Sequence, residues 1–203
     1  MSVAYRFLEA NPAKDSNSLH PFVDGWSHHA TTDNMFRSVS FPDMAVNASS
    51  SGVLLVEGDF TTVFHAEKAS ATRRSKGAAA GPATVESAES FDGVVTHFFI
   101  DTARNLMAYL DTIYALLRPG GYWVNFGPLL YGTGPWVQLS LDEVVRVVKA
   151  MGFEFVPVPD ECGDVTLEGE LVRGRTAVYG FDERALTRNA YQAQTWAARK
   201  LAH

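Results

Sequence analysis

Asp101 is the residue of this sequence whose type and position point most directly to chemistry. It follows Val94, Val95, Phe98, Phe99 and Ile100, an apolar run of the kind expected for a strand covered on both faces. A carboxylate at the carboxyl end of a central strand lies where open α/β sheets bind ligands. The same residue also suits the N-cap of the helical pattern that follows, and both roles can hold together. Within the same run, His97 reads on its own as a half-buried histidine satisfied by backbone. A second apolar run, Val53 to Val56, leads into Gly58-Asp59-Phe60, which alone is a turn sequence. A third leads into Asn125, Gly127, Pro128 and Tyr131; a strand end and tight turn account for Gly127-Pro128 but less readily for Tyr131. His28-His29 has no third ligand at a telling spacing, so no metal is expected. Cys162 lies in an Asp-Glu-Cys-Gly-Asp turn, with none of the cationic neighbours that activate a thiol nucleophile.

These residues need elements to hold them. Leu106, Met107, Leu110, Ile113, Tyr114 and Leu117 recur at helical spacing, and Arg118-Pro119-Gly120-Gly121 ends that helix. Tyr122 to Phe126 is the next strand. Ser140 with Glu143 forms a capping-box pattern ahead of a helix carrying Val144, Val145, Val148 and Met151. Phe153 to Val156 and Thr176 to Phe181 read as two final strands, paired antiparallel at one edge. Residues 2–9 read as a short helix, and 11–42 as irregular structure packing through Phe22, Trp26, Met35 and Phe36. Residues 183–201 read as a helix using Leu186, Tyr191, Trp196 and Leu201. Strands alternating with helices predict an α/β sheet with helices on its faces.

The 203 residues are 46% hydrophobic, enough for one domain with a sizeable core. Residues 66–90 carry almost no large apolar side chain and read as a flexible insertion within a single domain spanning 1–203, with an extra C-terminal helix over 183–203. A net charge of −6 argues against a nucleic-acid partner. A single cysteine excludes an internal disulfide framework, and the absence of a long apolar run argues against a membrane span. The expected location is cytoplasmic, with the nucleus as the alternative.

The run Phe91-Asp92-Gly93-Val94-Val95-Thr96-His97-Phe98-Phe99-Ile100-Asp101-Thr102-Ala103-Arg104-Asn105 is distinctive, as is Leu117-Arg118-Pro119-Gly120-Gly121-Tyr122-Trp123-Val124-Asn125-Phe126-Gly127-Pro128-Leu129-Leu130-Tyr131. With Phe41-Pro42-Asp43 and Gly58-Asp59-Phe60, they resemble the carnosine N-methyltransferase family. The resemblance covers about residues 20–181 and is densest from 91 to 155. It implies a class I, Rossmann-like methyltransferase sheet and S-adenosyl-L-methionine as cofactor. The implied reaction is methyl transfer to nitrogen on a small peptide-like or amine substrate. By the same resemblance Asp59 and Phe60 lie beside the adenine, and His97 contacts the cofactor where the family usually has Cys. Asp101 meets the substrate near its methyl-accepting nitrogen, where a carboxylate orients an amine and offsets the charge left after transfer. Asn125 and Tyr131 surround the substrate pocket.

The sequence also departs from the family. A family His after the Gly-Pro-Leu-Leu-Tyr run is Gly132 here, the His of a related Asp-Thr-Ala-His-Asn run is Arg104, and Tyr179 only loosely matches the family's C-terminal tyrosines. Carnosine itself is therefore not the expected acceptor; a peptide of a specialised-metabolite pathway is. No Gly-x-Gly-x-Gly run is present for the methionine end of the cofactor. The sheet is expected to lack its first two strands and to leave an edge for a partner or second copy to cover. The alternative function is a catalytically degenerate pseudoenzyme or partner subunit.

Overall fold

The computed structural model describes residues 2–25, 27–45, 54–64, 91–132, 134–180 and 182–202. The expected insertion at 66–90, together with Trp26, Val53 and Phe181, lies outside the described residues. The chain divides into two compact units: Met1–Glu57 with Val178–Asn189, and Gly58–Ala177 with Ala190–His203.

In the first unit, helix α1 (Ser2–Ala10) is followed by strand β1 (Asn17–Leu19), helix α2 (Thr32–Phe36) and strand β2 (Val39–Phe41). The two strands pair antiparallel, Asn17 opposite Phe41. Thr31 caps α2 by accepting the Asn34 N–H at 3.2 Å. The Arg37 guanidinium lies 3.6 Å over the ring of buried Phe22 and pairs with Asp182.

The second unit holds the sheet. Asp59 caps the short helix α3 (Phe60–Val63). Strand β3 (Phe91–His97) leads through a 3-10 turn (Ile100–Thr102) into helix α4 (Leu106–Leu116), strand β4 (Leu117–Gly127) and helix α5 (Leu141–Ala150). Strands β5 (Phe153–Val156), β6 (Asp164–Val165), β7 (Arg173–Tyr179) and β8 (Asn189–Lys200) follow. The expected capping box is present: Ser140 N–H donates to Glu143 at 2.9 Å at the start of α5. The Pro-Gly-Gly stretch acts one step later than expected. Helix α4 ends at Leu116, and the stretch becomes an irregular opening of β4 in which Gly120 takes φ +81°.

Strands β3 and β4 run parallel with α4 between them, a βαβ unit, and β8 lies antiparallel to both β4 and β5. The result is a mixed α/β, Rossmann-like sheet. Alternate residues fix its two faces. Trp123, Trp196, Ala198, Phe153 and Phe155 share one core with Leu106, Leu110 and Ile113 of α4 and with Val144, Val145 and Val148 of α5. Buried Lys200 belongs to this face and donates to the carbonyls of Tyr114 at 3.0 Å and Leu117 at 2.8 Å, satisfying the carboxyl end of α4.

Two expectations are corrected. The helix placed at 183–201 is strand β8 over Asn189–Lys200. Its Ala, Gln, Arg and Lys residues favour helix locally, but pairing with β4 on one side and β5 on the other overrides that preference. The edge pair is changed accordingly: β5 pairs with β8, while β7 lies between β8 and β6. The strand expected at Val53–Val56 is not formed over its described part. Among the described residues, 54–57 have no ladder partner and Leu54 is 75% exposed; an apolar run becomes a strand only beside another strand. Among the described residues no helix is long and apolar enough to cross a membrane.

Candidate active site

The parallel ladder ends in an uncommon turn. Phe98 takes φ +48°, rare for a bulky side chain, while its N–H still donates to the Phe126 carbonyl at 2.8 Å. Such backbone outliers persist where the surroundings over-determine them, and they cluster at functional sites. Here the surroundings are Gly127, where an added Cβ would lie 3.0 Å from Phe98 N and Cα, and the Phe126 and Tyr191 rings at 5.6 and 6.2 Å. Gly127→Ala is therefore expected to displace the His97–Phe99 turn and cost about 1–3 kcal/mol of stability. Urea unfolding of the variant measures it.

The turn sets out the site residues in order. His97 is exposed and stacks on Phe126 with ring centroids 5.5 Å apart and planes at 20°. Phe99 packs edge-on against Phe60 at 5.2 Å and stacks on Tyr109 at 5.1 Å. The Phe60 ring also meets Tyr109 at 5.3 Å, so it anchors α3 to the strand end. The exposed Asp59 carboxylate accepts from Thr61 N at 2.9 Å and Thr61 Oγ1 at 2.6 Å. The N-cap at this point is thus Asp59 of α3; for α4 it is Asn105, and not Asp101.

Asp101 is 8% exposed. Burial pushes its carboxyl above the ordinary carboxylate value, against the opposing pull of its own N–H and that of Leu130. The loop after β4 folds back over this turn. Gly132 N–H approaches the Asp101 carbonyl at 3.4 Å, and Trp136 N–H donates to the Arg104 carbonyl at 2.7 Å. Tyr131 donates its hydroxyl to the Leu139 carbonyl at 2.8 Å. Burial raises the Tyr131 phenol first, and the nearby charges of Asp101 and Glu143 add to the rise. A Cβ added at Gly132 would meet no atom within 4 Å, so open volume fronts the loop beside Asp101.

Asn125 lies at the same end of β4 but is wholly buried on the helix-covered face. Trp123 Nε1 donates to Thr96 Oγ1 at 2.9 Å, Thr96 donates to Asn125 Oδ1 at 2.8 Å, and Asn125 Nδ2 donates to the Gln194 carbonyl at 3.2 Å. The relay joins β3, β4 and β8. Asn125 is thereby a positioning residue of the strand ends, with both ends of its amide engaged inside the sheet. Sequence reading misses Thr96 and Trp123 because their partners lie across strands. It also misses Tyr191, whose position beside Phe98 shows only once 189–200 is a strand.

The residues fit S-adenosylmethionine at one end. Asp59 offers an exposed carboxylate and His97 an exposed ring beside the strand ends, whereas the sequence has no glycine-rich run for the methionine end. Among the described residues no group of three His, Cys, Asp or Glu could hold a metal ion.

A family model described as carnosine N-methyltransferase matches residues 1–202. The carnosine N-methyltransferase of Schizosaccharomyces pombe is 34% identical over 163 residues, which are 71% of this chain and 39% of that protein. The rat carnosine N-methyltransferase is 29% identical over 147 residues, 69% of this chain and 32% of the relative. The chain thus spans about a third of the length of these relatives. A solved S-adenosylmethionine-dependent methyltransferase of Methanosarcina mazei overlays 58% of this chain and 62% of its own, at 17% identity and a TM-score of 0.27.

Proposed function

We propose a function from one premise: the chain belongs to the carnosine N-methyltransferase family. On our reading it takes part in S-adenosylmethionine-dependent methyl transfer to a nitrogen of a small peptide-like substrate. The observation that carries this reading is Asp101, a buried carboxylate in the 3-10 turn just beyond the carboxyl end of parallel strand β3, beside a loop with open volume at Gly132.

When bound, S-adenosylmethionine supplies an electrophilic methyl group on a sulfonium sulfur. Asp59, Phe60 and His97 hold its adenine side in this proposal. Asp101 accepts a hydrogen bond from the acceptor amine, orienting the nitrogen lone pair, and offsets the positive charge that nitrogen gains. The Leu130 and Asp101 N–H groups fix the carboxylate. Tyr131 and the 128–132 segment line the acceptor side, with Asn125 holding the strand ends in register. A peptide of a specialised pathway remains part of the proposal, because Gly132 and Arg104 stand where the resemblance expects imidazole-reading histidines.

Calorimetric titration of the folded chain with S-adenosylhomocysteine tests the cofactor half. Micromolar binding is expected, weakened about tenfold to a hundredfold by Asp59→Ala, the loss of a charge-assisted hydrogen bond. A folded chain that does not bind overturns the proposal.

One observation favours a second reading, that of a pseudoenzyme or partner subunit. Among the described residues no strand pairs with the outer edge of β3, and Val95 on that strand is 75% exposed.

A further inference from the structure

We infer that Arg104 is the specificity-determining residue for the acceptor, binding the carboxylate of a zwitterionic peptide-like substrate whose nitrogen lies at Asp101. The inference rests on the methyl-transfer reading above and adds to it the charge pattern of the substrate.

Arg104 is exposed on the segment joining the 3-10 turn to α4, three residues after Asp101. Its backbone is tied down on both sides. Its carbonyl accepts from Trp136 N–H at 2.7 Å, and Asn105 bridges to Val137. The guanidinium, by contrast, has no hydrogen-bond or carboxylate partner among the described residues. Other arginines of the same unit are engaged: Arg118 with Asp92, Arg146 with Asp142, Arg173 with Asp160 and Arg199 with Glu154. No ion pair or hydrogen bond joins the Arg104 guanidinium to Asp101 among the described residues. An unpaired guanidinium thus lies three residues along the chain from the buried carboxyl.

The chemistry of that gap is specific. Three residues of chain place the two Cα atoms at most about 10 Å apart, the scale of the separation between the terminal charges of an extended dipeptide. The guanidinium lies against the loop that follows β4: a Cβ at Gly134 would lie 3.5 Å from Arg104 Nη2, while one at Gly132, whose N–H approaches the Asp101 carbonyl, would meet nothing within 4 Å. A planar guanidinium presents paired donors that match a carboxylate. An acceptor with its amine at Asp101 and its carboxylate at Arg104 satisfies both groups, and it is held with its nitrogen, rather than its acid end, toward the reacting methyl.

The test is titration of the chain, saturated with S-adenosylhomocysteine, with a set of dipeptides that includes carnosine, each as free acid and as C-terminal amide. Free acids are expected to bind about tenfold to a hundredfold more tightly than their amides, the usual scale for a charge-assisted hydrogen bond. Arg104→Gln, confirmed folded by its melting transition, erases that preference by weakening the acids alone, and Arg104→Lys restores part of it. Equal affinity of acids and amides, a preference that survives Arg104→Gln, or no dipeptide binding to the cofactor-loaded chain overturns the assignment of Arg104 while leaving methyl transfer standing. Failure to bind S-adenosylhomocysteine removes the methyltransferase reading and this inference with it.

Discussion

Asp101→Asn is expected to lower kcat/KM for methyl transfer by about a hundredfold or more, the scale found when one preorganised electrostatic partner of a transition state is removed. The variant keeps the shape of the side chain and an oxygen to accept the Leu130 N–H. What it loses is the negative charge that, in the proposed function, faces the nitrogen as that atom becomes cationic. The pH dependence separates this role from a structural one. Burial raises the Asp101 carboxyl above its ordinary value. Activity of the parent therefore falls as pH drops through that raised value, and the variant lacks this limb. Stability moves the other way. Between the unfolded and folded values the folded state holds more protons than the unfolded one. This group's contribution is thus full below the unfolded value and is lost as pH rises through the folded value. Asn has no such loss, so the variant is expected to melt at or above the parent temperature at neutral pH. A variant inactive because it unfolds early contradicts the assignment.

Asn125→Ala carries the largest expected effect on stability. Asn125 is fully buried, and the relay from Trp123 through Thr96 to the Gln194 carbonyl passes through its amide. Deleting that amide leaves the Thr96 hydroxyl with only the distant Val124 carbonyl, at 3.5 Å, as acceptor and the Gln194 carbonyl without this donor. Unsatisfied buried groups each cost about 1–3 kcal/mol, so a loss of about 2–4 kcal/mol is expected. For a chain of this size that lowers the melting temperature by roughly 5–15 °C. The measurement decides between two roles. A residue that joins three strands lowers the melting temperature and leaves KM for the acceptor unchanged at temperatures where the variant is folded. A residue that touches the substrate raises KM with little change in melting.

Much of this arrangement is written locally. Ser140 and Glu143 announce α5, because a capping box needs only four consecutive residues. The apolar run before Asp101 announces β3, because a strand end before a helix is itself a local pattern, but the strand stops at His97 and Asp101 lies in the 3-10 turn that follows. Strand β8 is not local. Its Ala-Ala-Arg-Lys sequence reads as helix until β4 and β5 are in place to pair with it. Tyr191, carried on that strand, is invisible for the same reason. The role of Asn125 depends on the register that sets Thr96 beside it, which no single segment encodes. The Phe98 turn depends on the missing side chain of Gly127, a residue that in sequence looks like an ordinary turn former.

The most direct test of the central claim is a transfer assay with methyl-labelled S-adenosylmethionine, the folded chain and a set of dipeptides, read by mass spectrometry of the product. The expected result is one labelled methyl group on nitrogen of at least one dipeptide, formed by the parent and nearly abolished in Asp101→Asn. A folded chain that binds S-adenosylhomocysteine yet labels no dipeptide, or labels one equally well with Asn at 101, contradicts the claim that this strand end carries out methyl transfer to a peptide-like acceptor.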